Sequence, residues 1–329
     1  MDNQDILENK FISIDQHEEW PGHDSIEKGG GVSEAENRNE RPGDDSIEKG
    51  GGVRGNRRFP GDDTIFTRYL YIKRQVMQSL FIALLEHNRE EALFWGYELY
   101  YSGFQTEIME FIDSVYSTIY KPCCSPSFTD FFQSKYEVWK VDNTKDFILG
   151  VLIWNLSIRQ YDINYFIEEM VKVTCIKKPE IRNKQFRITS LDIEKYKTPV
   201  HIIGKGRFVL SQYCHYKIRN DVNDIFNAYL VDTKTKFQYH WEYYAYECPI
   251  WQERILYHNG IKNDETERID FTDDDIEGFY DLYGYEPDEQ NREIQERCIG
   301  DQMVKQISIK EFAQKYGGTI KSKIIKRNK

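Results

Sequence analysis

Between Asn88 and Pro122 the chain encodes two helices back to back, and this pair constrains the fold more than any other stretch. Asn88 with Glu91 three residues on is a capping-box variant, opening a helix that sets Leu93, Phe94, Tyr97 and Tyr101 on one side. Ser102-Gly103 closes it, because glycine tolerates the left-handed conformation of a helix C-cap. Ile108, Phe111, Ile112, Val115 and Ile119 then repeat at helical spacing until Pro122, which cannot continue the ladder. Two apolar faces joined by so short a turn predict an antiparallel αα-hairpin.

Neighbouring segments carry the same period. Tyr69, Ile72, Val76, Leu80 and Leu84 predict a helix ending near His87-Asn88. Ser127 opens one with Phe128, Phe131, Phe132, Tyr136 and Trp139 on its face, and Asn143 or Thr144 caps another over Phe147–Ile158. Asp162 caps a further one through Tyr165, Phe166, Met170 and Val171. The fold class is therefore mainly α, a helical-hairpin array or irregular helical bundle, with a less regular C-terminal part of helical or α+β character. No strict period marks a named helical repeat.

The chain divides by composition. Residues 1–62 are a Gly/Pro-rich tail in which Pro21–Val32 returns as Pro42–Val53 and begins again at Pro60. So few apolar residues cannot offset the ordering entropy of the backbone, so this tail is expected to be disordered. Residues 63–175 form a helical domain. Residues 176–318 form a mainly helical C-terminal region, and 319–329 a basic tail. Within the C-terminal region, Phe186–Leu191 and Val200–Leu210 read as extended, while Asp221–Asp232 and Phe237–His258 read as helices. Arg268–Phe271 reads as a short strand before a helix capped at Thr272 or Asp273, and Lys310–Phe312 belongs to a last helix.

A net charge of −11 argues against nonspecific nucleic-acid binding by the whole molecule. The stretch 263–290 alone holds twelve carboxylates against Arg268, so any phosphate contact is expected at the positive ends: Arg54, Arg57, Arg58, Lys321, Lys323, Lys326 and Arg327. The Lys/Arg-rich crossing Lys172–Arg187 adds a third cluster. Six cysteines show no framework spacing and read as reduced thiols. No segment reaches the ~20 apolar residues that span a bilayer, and Phe147–Ile158 reads as a buried core helix.

Four arrangements suggest chemistry, and each has a plainer reading. Ile203–Phe208 resembles the start of a kinase glycine-rich loop but has Val209 where the third glycine belongs and no downstream catalytic motifs. Cys214-His215, His240, Cys248 and His258 are metal-type ligands without the paired spacing of structural zinc, and adjacent Cys123-Cys124 diverge. Asp273, Asp275, Glu277 and Gly278 begin like a calcium loop but reach Gly284 where the closing Glu belongs, so they read as helix-start charges. No metal, cofactor or catalytic residue is assigned.

Ala92–Phe104, Cys248–Arg254 and Tyr283–Gln290 are similar to an uncharacterised protein family of nucleocytoplasmic large (giant) DNA viruses, a resemblance covering roughly residues 64–300. It implies a viral source and a place in the host cytoplasm, at the viral factory, or in the virion, with no activity to carry over. The expected function is a non-enzymatic interaction or scaffold protein, its Tyr and Trp anchoring unknown protein partners. The alternatives are a nucleic-acid-associated accessory factor of viral replication or transcription, with weak tail-mediated contacts, and a hydrolase of unknown substrate.

Overall fold

In the computed structural model, which describes residues 64–164, 167, 174–176, 185, 187–197, 206–226, 228, 230–317 and 319–321, the chain is mainly helical. Three helices make its centre: α1 (Lys73–Leu85), α2 (Arg89–Ser102) and, after α3 (Gln105–Val115) and α4 (Pro126–Val141), α5 (Asp146–Ser157). Each of the three is buried on nearly every side, which is why their apolar residues outnumber a single stripe. By contrast, α4 buries only Phe128, Phe132, Tyr136 and Trp139, one face at the period expected for an outer helix.

Asn88 takes the capping role that its side chain suits. Its Oδ1 accepts from the Glu91 amide at 3.3 Å and its Nδ2 donates to the Glu91 carboxylate at 2.8 Å. At the other end of α2, Gly103 adopts φ 104°, as the sequence predicts. The following helix continues from α3 through a π turn at Tyr116–Tyr120 and a 3-10 turn at Lys121–Cys123, which contains Pro122. The hairpin is only part of the packing, however: α2 packs chiefly on α1 and α5, with α3 a lesser neighbour. Gly96 and Gly150 explain the α2–α5 approach, since a Cβ at Gly96 would meet Ile153 and one at Gly150 the Tyr97 hydroxyl. Tyr97 and Tyr101 of α2 also donate to the carbonyl and carboxylate of Asp146 at the start of α5, at 3.1 and 2.7 Å.

Several boundaries differ from the sequence reading for local reasons. Tyr69 and Ile72 precede α1, because the chain folds back on itself with Phe66 bridging Ile72 and Leu70 at φ 57°. Ser125, not Ser127, caps α4, with Pro126 in the first turn where its missing N–H costs nothing. Lys145, without a side-chain cap, precedes α5. The expected helix through Tyr165–Val171 lies largely outside the described residues.

Beyond residue 173, β1 (Thr174–Ile176) precedes the short helix α6 (Ser190–Ile193), continued by a 3-10 turn to Tyr196. Of the stretch expected to be extended at Val200–Leu210, residues 200–205 lie outside the description. Gly206–Phe208 is a 3-10 turn, and Val209 and Leu210 begin α7 (Val209–Tyr213). Their branched side chains suit a strand, but here they are buried on a helix, where tertiary packing overrides local preference. The helix expected at Asp221–Asp232 is confined to a 3-10 turn and α8 (Asn223–Phe226).

The single helix expected at Phe237–His258 is broken into α9 (Thr233–Tyr239), α10 (Trp241–Ala245) and α11 (Pro249–Tyr257). Pro249 cannot donate within a continuing helix and starts a new one instead. The hairpin β2 (Ile261–Asn263) and β3 (Arg268–Asp270) follows, with Lys262 opposite Ile269. Thr272 caps α12 (Asp273–Tyr283), and α13 (Arg292–Ile299) and α14 (Ile309–Tyr316) complete the helices, the last behind a full Ser308/Glu311 capping box. Thr319–Lys321, the first residues of the basic segment, form β4, antiparallel to β1 with Cys175 opposite Ile320.

Hydrogen bonds join the segment before α1 to the late helices α10 and α11. The Trp251 indole donates to the Thr67 carbonyl at 3.1 Å, and the Phe66 amide to the Tyr244 carbonyl at 3.0 Å. At Gly103 an added Cβ would come within 2.5 Å of the Pro249 ring, on a backbone already in the left-handed region. Gly103→Ala is therefore expected to lower the unfolding free energy by about 1–3 kcal/mol, as overpacked sites do. An unchanged urea midpoint would show that the turn relaxes freely.

A candidate binding cleft

The site grows from a buried ion pair. Arg68 and Glu98, with side chains 3% and 0% exposed, meet Nε to Oε2 at 2.9 Å. Such a pair is tolerable in the interior only when its remaining donors and acceptors are met. Here they are: Glu98 Oε1 accepts from the Thr67 hydroxyl at 2.7 Å and the Tyr69 amide at 3.2 Å, while Arg68 Nη2 donates to the Tyr196 carbonyl at 2.7 Å. The guanidinium also lies over the Tyr69 and Tyr101 rings.

Outward from this pair opens a cleft of about 140 Å³, lined by Arg68, Tyr69, Glu90, Phe94, Lys195, Tyr196, Tyr213, His215 and Tyr216. Four separate segments supply them: the fold-back loop before α1, helix α2, the turn after α6 and the end of α7 with its following loop. Tyr69 and Tyr213 stack with centroids 5.2 Å apart and planes 7° from parallel. Phe94 meets Tyr216 at 5.1 Å and the His215 ring at 5.9 Å.

The charges around the cleft are matched within it. Lys195 Nζ donates to Glu90 Oε2 at 2.8 Å, which holds the Glu90 pKa below and the Lys195 pKa above their usual ranges. Burial, then the positive charges of Arg297 and Lys195, lowers the pKa of His215, so its imidazole is neutral at neutral pH. The Tyr196 hydroxyl is closed off from solvent beside the Lys195 side chain. Burial raises its pKa to about 12, against the opposing pull of the Lys195 ammonium, which lies 4.9 Å from the ring centroid.

The basic residues expected to touch phosphate are not at this cleft. Of them only Lys321 is described, in β4 opposite Thr174; Arg54, Arg57, Arg58, Lys323, Lys326 and Arg327 lie outside the described residues. Within the Lys172–Arg187 crossing, only 174–176, Gln185 and Arg187 are described, the last two exposed. The cysteine and histidine candidates are scattered. Cys214 Sγ lies 3.5 Å from Cys298 Sγ in the core, Cys248 donates to the Ser102 carbonyl, and His240 Nδ1 is 2.9 Å from the Glu267 carbonyl oxygen. Among the described residues no group of three or more His, Cys, Asp and Glu could hold a metal, and no helix is long and apolar enough to cross a membrane. Sequence reasoning reached His215 only as a metal candidate and missed Arg68, Tyr196 and Tyr213, whose roles come from residues far away in the chain. No protein-family model, curated protein or solved structure matches this chain.

Proposed function

We propose that the protein is an interaction module whose cleft takes one aromatic side chain of a protein partner. The observation that carries this is the cleft itself: aromatic walls and internally matched charges. At about 140 Å³ it is smaller than the ~300–1,000 Å³ pockets that enclose whole ligands. It suits a single protruding group, and a buried Tyr or Trp is the commonest interface anchor. A phenol or indole entering it would stack on the Tyr rings.

The nucleic-acid reading is less well supported here, because Arg68 and Lys195 are already committed to carboxylates and do not await a phosphate. The hydrolase reading is weaker still. Burial raises the thiol pKa of Cys248 to about 12 and pushes that of Cys298 up as well, against use as nucleophiles. A viral setting rests on the three similar stretches alone.

Ligand-observed NMR on the full chain tests the reading with p-cresol and indole as side-chain probes and with dAMP and inorganic phosphate as rivals. p-Cresol and indole are expected to bind. Tyr213→Ala is expected to weaken them by roughly tenfold, the scale of losing one anchor contact. Binding of dAMP in preference to p-cresol, abolished by the same substitution, would move the site to nucleotide recognition.

A further inference from the structure

Two cysteines 84 residues apart in the chain meet in the core. Cys214 ends α7 and Cys298 lies on α13; both are fully buried, and their sulfurs are 3.5 Å apart. Both thiols also face the Tyr69 carbonyl oxygen, at 3.6 and 3.8 Å. The pair therefore lies directly behind the wall of the aromatic cleft that Tyr69 and Tyr213 form.

This position is a joint between two parts of the fold. Cys214 follows Tyr213 and opens the loop that carries His215 and Tyr216 into the cleft. Hydrogen bonds hold that loop to α13: Arg297 Nη1 donates to the Cys214 carbonyl at 2.9 Å, and the Ile218 amide to the Arg297 carbonyl at 3.1 Å. The exposed contact of Lys217 with Glu296, at 3.5 Å, adds little.

We propose that Cys214 and Cys298 are a reversible dithiol–disulfide pair that locks this loop onto α13. A sulfur–sulfur bond is about 2.05 Å long, so the two sulfurs have to close by roughly 1.5 Å. The oxidant is a low-molecular-weight disulfide of the glutathione type. One cysteine thiolate attacks it, forming a mixed disulfide and expelling one small thiolate; the second cysteine then attacks the protein sulfur and expels the other. The two S–H protons leave on the two small thiols, and the two electrons lost by the protein reduce the oxidant. Burial makes the reaction slow, because exchange waits on local opening of the loop. Once formed, a link closing so long a stretch of chain restricts the unfolded state and stabilises the fold. The inference does not depend on what the aromatic cleft binds.

Equilibrating the full chain with oxidised glutathione in native buffer, then alkylating and digesting it without reduction, tests the pair. A peptide containing Cys214 joined to one containing Cys298 is expected. The linked protein should melt about 5–15 °C higher than the reduced one, and dithiothreitol should reverse the rise. The double variant Cys214→Ala, Cys298→Ala leaves the remaining cysteines in place and is expected to show no rise. If that variant does not fold, the linked peptide and its reversal by dithiothreitol decide. Recovery of both cysteines as free thiols or as separate glutathione adducts, a link that forms only in urea, or a linked protein that melts no higher would each overturn the proposal.

Discussion

Glu98→Ala is expected to cost about 3–5 kcal/mol of stability, the scale of leaving one member of a buried ion pair without its counter-charge. The substitution strands the Arg68 guanidinium, and it also removes the acceptor for the Thr67 hydroxyl and the Tyr69 amide. These residues shape the fold-back before α1, so the loss should reach the aromatic cleft as well as the core. Equilibrium urea unfolding measures the first effect, and p-cresol binding in whatever remains folded measures the second. Glu98→Gln separates the causes: it keeps an acceptor oxygen but no charge, and should fall between wild type and Glu98→Ala. If Glu98→Ala unfolded with the wild-type midpoint, the pair would be a passive contact and the cleft would have to be explained without it.

Trp95→Ala should cost a similar amount, about 3–5 kcal/mol for a buried indole, or roughly 6–20 °C in melting temperature for a folded body of this size. Trp95 is fully buried, edge-on to Tyr71 and Phe94 with centroids 4.9 Å away in each case, and its Nε1 donates to Glu91 Oε1 at 3.2 Å. Glu91 also takes two bonds from Arg219, at 2.9 and 2.7 Å, so the indole is tied into a network joining α2 to the loop before α8. Trp95→Phe should recover part of the loss by refilling the volume without the N–H. A Trp95→Ala protein that melts normally but has lost a ligand would make this ring a binding platform rather than core.

The helical class, the Asn88 cap, the Gly103 left-handed turn, the β3 strand before the Thr272 cap and the last helix were legible in the sequence. Each is a local matter: a cap and its orphan amides lie within one turn, and a hydrophobic period is read within a dozen residues. That α2 also packs closely on α5 was not legible, because an apolar surface on every side does not name its neighbour, and Gly96 and Gly150 acquire their meaning only when they face Ile153 and Tyr97. The breaks within residues 220–258 were only partly legible, since Pro249 signals one while the rest follow from packing. The aromatic cleft was invisible. Arg68 finds Glu98 thirty residues on and Tyr196 128 residues on, and Gln78 finds Asn223 at a separation of 145. Nothing in the local sequence marks such partners, because the charge or amide at each position reads equally well as a solvated surface group. Burial alone makes an unpaired charge or carbonyl costly, and burial is decided by the tertiary structure.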